Sequence, residues 1–171
     1  MSDALEGWTD FNVAMVGATA ALAGLLIVAM SVNIGEIMKT DTLPSRAAAA
    51  IATLVVAIVA TALGLVPGQP HWLYGVEVLA ATLLACALEA NAIRKILREP
   101  GTGGGTRFAK SVVGLLPLAG FAIGSVLLIV GGAGAGLALV GAGLGFIAAG
   151  SVLAVATAIL YAWIVLVEVL R

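Results

Sequence analysis

The feature that most limits what this chain can fold into is a set of five long apolar runs, at about 11–32, 47–66, 72–92, 111–130 and 137–168. A helix needs roughly 20 apolar residues to cross about 30 Å of hydrocarbon, whereas barrel strands are about 9–11 residues long and alternate in polarity. Run length, with the abundance of Ala and Leu, therefore predicts helices. A helix also pairs its backbone polar groups within one segment, as lipid requires. Of the 171 residues, 62% are hydrophobic and 10% charged, and the mean hydropathy is +1.18. A soluble domain is about 45–50% apolar and about 25% charged, so this composition excludes an ordinary water-soluble fold. The expected fold is all-α: a single domain over residues 1–171, an integral membrane bundle of five transmembrane helices.

The basic residues test that count independently. Lys39 and Arg46 lie between the first and second runs, Arg94, Lys95, Arg98, Arg107 and Lys110 between the third and fourth, and Arg171 after the fifth. The N-terminal segment and the breaks at 67–71 and 131–136 carry none. All eight basic residues thus fall on one side of a five-span chain. The positive-inside rule makes that side the cytoplasm, with the N-terminus outside and the C-terminus cytoplasmic. The basic loop at 93–110 suits anionic lipid headgroups better than nucleic acid. The start, MSDALEGWTD, is acidic and lacks the basic region of a secretory leader. Trp8, Trp72 and Tyr74 are expected at the outer headgroup level, and Tyr161 and Trp163 at the inner. That places the fifth crossing at about 143–165 and leaves 134–142 near the outer surface.

Helices in lipid gain little from hydrophobic burial, so close backbone approach matters, and small residues mark it. The candidate packing positions are Gly17 and Gly24 (with Ala21) in the first span, Gly120 and Gly124 in the fourth, and Gly141 and Gly145 (with Ala149) in the fifth. They can serve contacts within the chain or between subunits. Pro117 lies mid-span and is expected to kink the fourth helix near 113–117. VPGQP at 66–70 is a Pro-Gly turn that makes a hairpin of the second and third spans. EPGTGGGT at 99–106 reads as a flexible loop. Cys86, the only cysteine, has no partner for a disulfide and reads as packing.

Two features carry chemistry. Glu77 lies about 9 Å inside the start of the third span, where an acid is costly and usually faces protein or water. It is either a shallow acid reaching outward to headgroups or to His71, or a proton- or cation-binding group in an outward-facing cavity. His71, the only histidine, has no neighbours to complete a metal site. Asn12, Thr19, Leu26 and Asn33 recur every seven residues, so one face of the first span is a polar stripe. It can hydrogen-bond across to another helix or line a thin aqueous path. Glu89 before Arg94 and Lys95, Glu36 before Lys39, and Glu168 before Arg171 read as surface pairs at the inner headgroups. Phosphate-loop, HExxH, CxxC and Ser/His/Asp patterns are absent from the sequence. Glu77 and Glu89 stand about 18 Å apart along a helix and cannot act as a pair. No cofactor, metal or enzymatic activity is expected.

The segments FNVAMVGATAALAGLLIVAMSVNI, LVPGQ and AWIVLVEVLR resemble an uncharacterised family of small bacterial, often actinobacterial, multi-span membrane proteins. Some members are labelled modulators of the FtsH protease. The resemblance implies a multi-pass protein of the bacterial plasma (inner) membrane and carries over no functional residues. Three roles follow as expectations. The first is a non-enzymatic scaffold or accessory subunit, packing as a homo-oligomer or within a larger membrane complex. The second is an oligomeric channel or transporter for protons or small cations, using Glu77 and the polar stripe. The third and weakest is an intramembrane enzyme.

Overall fold

The computed structural model describes residues 5–39, 43–98 and 104–169, and no strand occurs among them. After a short turn at Glu6–Trp8 come α1 (Thr9–Val32), the single turn α2 (Ile34–Ile37), α3 (Leu43–Leu63), α4 (His71–Arg98) and α5 (Gly104–Val130). A π-type turn, Gly131–Ala135, leads into α6 (Leu137–Val169). Five segments are long and apolar enough to cross a membrane: Glu6–Val32, Leu43–Leu63, His71–Lys95, Val113–Ala135 and Leu137–Trp163. The chain is therefore an all-helical bundle of multi-pass membrane type.

Local chemistry sets the helix ends. Pro44 sits in the first turn of α3, where its missing N–H removes no helical bond. Gly68 takes φ 69° in the turn after α3. The Pro70 carbonyl then accepts from Leu73 and Tyr74 at 3.0 and 3.1 Å, which starts α4. Between α5 and α6 the backbone reverses at Gly134 (φ 116°) and Gly136 (φ 120°), a conformation that L side chains rarely adopt. The region expected as one loop over 93–110 is shorter: α4 runs on to Arg98 and α5 starts at Gly104, leaving 99–103 outside the described residues. Pro117 lies within α5 without ending it. α6 is helical from Leu137, so 137–142 are helix.

α3 is the shared element, packed against α1, α4 and α6, while α5 lies between α4 and α6. One apolar cluster gathers Tyr74, Val78, Phe121, Leu128, Leu144 and Ile147. A second joins Leu26, Ile37, Leu43, Leu54, Ala158 and Tyr161. Outward, Leu25, Val28, Leu83, Leu84 and Leu160 are more than half exposed. Such a surface suits acyl chains and not water.

Glycine makes the tightest seams. A methyl group on Gly124 would stand 2.7 Å from the Gly143 carbonyl oxygen, and one on Gly143 would stand 2.9 Å from the Gly124 oxygen. One turn along, an added methyl on Gly120 would meet the Gly150 Cα at 3.1 Å. Gly75 brings α4 onto α5, 2.8 Å from the Ser125 oxygen by the same construction. Gly17, Gly24, Gly141 and Gly145, expected as packing positions, are open instead: an added Cβ at each meets nothing within 4 Å. α6 carries two glycine faces, and the buried Val140, Leu144 and Ile147 turn the Gly143–Gly150 face onto α5.

Gly124→Ala and Gly143→Ala should each destabilise the protein by about 1–3 kcal/mol through overpacking. Gly141→Ala and Gly145→Ala should stay within about 0.5 kcal/mol of wild type. Unfolding by SDS titration from detergent micelles measures both.

Candidate functional site

Interhelical contacts sort the chain into two ends. One end gathers the start of α1, the end of α3, the start of α4 and the α5–α6 turn. Asn12 Nδ2 lies 2.6 Å from where a methyl on Gly64 would be, and Trp72 N lies 2.6 Å from the same point on Gly132. The other end gathers α2, the start of α3, the end of α4, the start of α5 and the later part of α6. There the Tyr161 hydroxyl donates to the Leu43 carbonyl at 2.9 Å. Lys39, Arg46, Arg94 and Lys95 all belong to this second, basic end.

At the first end, Glu77 is half-buried and its Oε2 accepts a hydrogen bond from the side-chain amide of Gln69. Gln69 is itself buried, and its Oε1 has no hydrogen-bond partner. The acid thus turns back to the Pro-Gly turn, to a residue that sequence spacing did not single out. His71 opens α4 with its main chain against Gly132.

Two members of the stripe on α1 are also local in their bonding. Thr19 donates to the Met15 carbonyl at 2.6 Å, and Asn33 Nδ2 donates to the Ala29 carbonyl at 2.9 Å. Asn12, Thr19 and Leu26 are buried and form the inward face of α1, while Asn33 is half-buried. These hydroxyl and amide donors satisfy their own helix, a common habit of Ser, Thr and Asn where no water competes. Thr53, Thr61, Thr82 and Ser151 do the same.

Cross-helix ties come from tyrosine. The Tyr74 hydroxyl donates to the Ala60 carbonyl at 3.0 Å, joining α4 to α3, as Tyr161 joins α6 to α3. Both rings are buried within the bundle, where each hydroxyl finds a carbonyl. Trp72 and Trp163 are exposed, and Trp8 packs edge-on to Phe11 with ring centroids 5.7 Å apart.

The basic end holds a cluster that the sequence reading treated as surface. Glu89 is only 7% exposed. Its carboxyl fills the space a side chain on Gly114 of α5 would occupy. Arg46 of α3 acts on it electrostatically, and its charge reaches Cys86 one turn earlier on α4. The Arg46 guanidinium is seated 5.6 Å over the Tyr161 ring, within the range of a cation–π contact. Arg94 and Lys95, expected as the partners of Glu89, are exposed on another face of α4. One signal could have found this: Tyr74, Val78, Thr82, Ala85, Glu89 and Ala92 follow one another at three- and four-residue steps. All six are buried, and Glu89 is the acid on that stripe. The side chains of Glu36, Glu168 and Arg171 lie outside those described.

No group of three or more His, Cys, Asp or Glu residues placed to hold a metal occurs among the described residues. No family model, curated protein or solved structure matches the chain. Laterally, an open apolar groove of about 650 Å³ runs over α3 between α1 and α4, lined by Met30, Ile51, Val55, Val59, Leu84 and Leu88 among others.

Tyr74→Phe and Tyr161→Phe should each cost about 0.5–1.5 kcal/mol, the net worth of a typical hydrogen bond. SDS-titration unfolding reads the loss, and the double variant should be additive because the two ties sit at opposite ends.

Proposed function

We propose that this protein is a non-enzymatic scaffold or accessory subunit of a membrane, working by lateral helix packing with copies of itself or within a larger membrane complex. The observation that carries this reading is a pair of unused small-residue rows. Gly17, Ala21 and Gly24 on α1 are exposed, and an added Cβ on Gly141 or Gly145 of α6 meets nothing within 4 Å among the described residues, with Ala149 exposed beside them. The same chemistry that closes α5 on α6 is therefore repeated on two outward faces. In lipid, such rows let a second helix approach to backbone contact, where van der Waals packing replaces the missing hydrophobic drive.

The basic end faces the cytoplasm in this reading, since Lys and Arg are retained there. Exposed Arg94 and Lys95 then meet the anionic headgroups of the inner leaflet. In this reading the membrane is a bacterial plasma (inner) membrane, which the resemblance noted in the sequence implies.

Gly17→Cys and Gly145→Cys, each made with Cys86→Ser, test the packing role in native membranes. Oxidative cross-linking should give a discrete higher-mass species, lost when Gly17→Leu and Gly145→Leu are combined on the other rows. A protein that stays monomeric in both backgrounds contradicts the proposal. Orientation is read separately with an impermeant maleimide on intact cells. It should label Val66→Cys and leave Lys95→Cys unlabelled until the membrane is opened.

A further inference from the structure

The buried stripe of α4 carries an acid for which lateral packing has no use. Glu89 projects from the α4 face that also presents Ala85 and Ala92 to the interior. Three other helices shape its surroundings. α5 presents Gly114, and the Glu89 carboxyl occupies the notch left by the absent side chain: Cδ lies 2.7 Å and Oε2 3.1 Å from the position a Cβ would take. α3 presents Arg46, the opposite charge that acts on Glu89. α6 presents Tyr161, which holds Arg46 over its ring and is itself tied by its hydroxyl to Leu43, three residues before Arg46. From α4 itself, Cys86 lies one turn away.

Arg46 is seated on the ring, 5.6 Å from its centroid. A carboxylate buried at this depth carries a large desolvation cost, offset only by direct, well-formed partners. A neutral acid carries no such cost and fits an apolar notch beside a glycine. The two protonation states therefore want different geometries. The acid rests on Gly114, and the carboxylate is drawn toward Arg46.

We propose that Glu89, with Gly114 and Arg46, forms a proton-binding site reached from the basic end of the bundle. The carboxylate takes one proton from water at that end, an O–H bond forms, and the neutral acid seats against α5. Release returns the proton to the same water and shifts the carboxylate toward α3. Proton occupancy thereby sets how closely the ends of α4 and α5 pack. This site is separate from the outward small-residue rows, so it stands or falls independently of the scaffold role.

Infrared difference spectra of the full chain in liposomes, recorded across a pH series, test the site. The expected result is a carboxylic-acid C=O band that disappears as pH rises, about tenfold per pH unit above its midpoint. That band is absent in Glu89→Gln and retained in Glu77→Gln. Arg46→Gln should move the midpoint to higher pH, because the carboxylate loses its attracting charge. A spectrum unchanged by Glu89→Gln, or a midpoint unmoved by Arg46→Gln, overturns the proposal. A second measurement needs no variant. A hydrophobic carbodiimide converts a protonated carboxyl to a stable N-acylurea, and peptide mass spectrometry of the wild-type protein locates it. Glu89 should be labelled several-fold more than Glu77, whose carboxyl is held by Gln69, and equal or weaker labelling at Glu89 counts against the site.

Discussion

A backbone in hydrocarbon has no water to turn to, and the rest of this structure depends on that constraint. Every peptide group within a spanning segment must find its partner inside the protein. The helix meets the demand within each segment. Buried hydroxyls follow the same logic: Thr19, Thr53, Thr61, Thr82 and Ser151 bond back to carbonyls of their own helices. Helices closed on themselves in this way have little polar reason to associate. What remains is surface fit, and so glycine decides where two helices meet.

The α5–α6 seam shows how far this goes. Gly124 and Gly143 each point an absent side chain at the other's carbonyl, and Gly120 lies against Gly150. The π-type turn with Gly134 and Gly136 at positive φ makes the reversal that brings the two helices together. α4 joins through Gly75, and α3 through the Tyr74 and Tyr161 hydroxyls. The two tyrosine ties sit near opposite ends of α3, so that helix is anchored to its neighbours at both ends. The described groups that can carry charge inside the bundle thus sit at the rims: Glu77, with Gln69, at one, Arg46 and Glu89 at the other. Between them the buried hydroxyls are closed on their own helices and association is left to packing.

The rims differ in kind. At the first, Glu77 has a neutral amide donor and partial exposure, a settled arrangement for an acid at a membrane surface. At the basic end, Glu89 is more deeply buried, beside a cation committed to an aromatic ring. One face of the molecule is thus occupied by ordinary interfacial contacts, and the opposite end stores a charge relationship that protonation can change. The glycine rows on α1 and α6 add a third element, positions where an added Cβ meets nothing within 4 Å among the described residues.

The sequence by itself determined the helical class, the five long apolar segments and the Pro-Gly turn, because these follow from composition, run length and backbone stereochemistry. It determined less about faces. Gly120 and Gly124 lie in a seam, but Gly141 and Gly145 do not, since α6 carries glycine on two sides and only the packing of Val140, Leu144 and Ile147 selects one. Tyr74 and Tyr161 have the right depth for headgroups, yet carbonyls on α3 draw them inward. Glu77 was open between a shallow acid and a cavity group and is half-buried, whereas Glu89 looked superficial by position along the span and is buried. The sequence records depth along a helix, a one-dimensional property, whereas burial depends on rotation about the helix axis. That rotation is set by neighbours far away in the chain, and only the tertiary structure decides it.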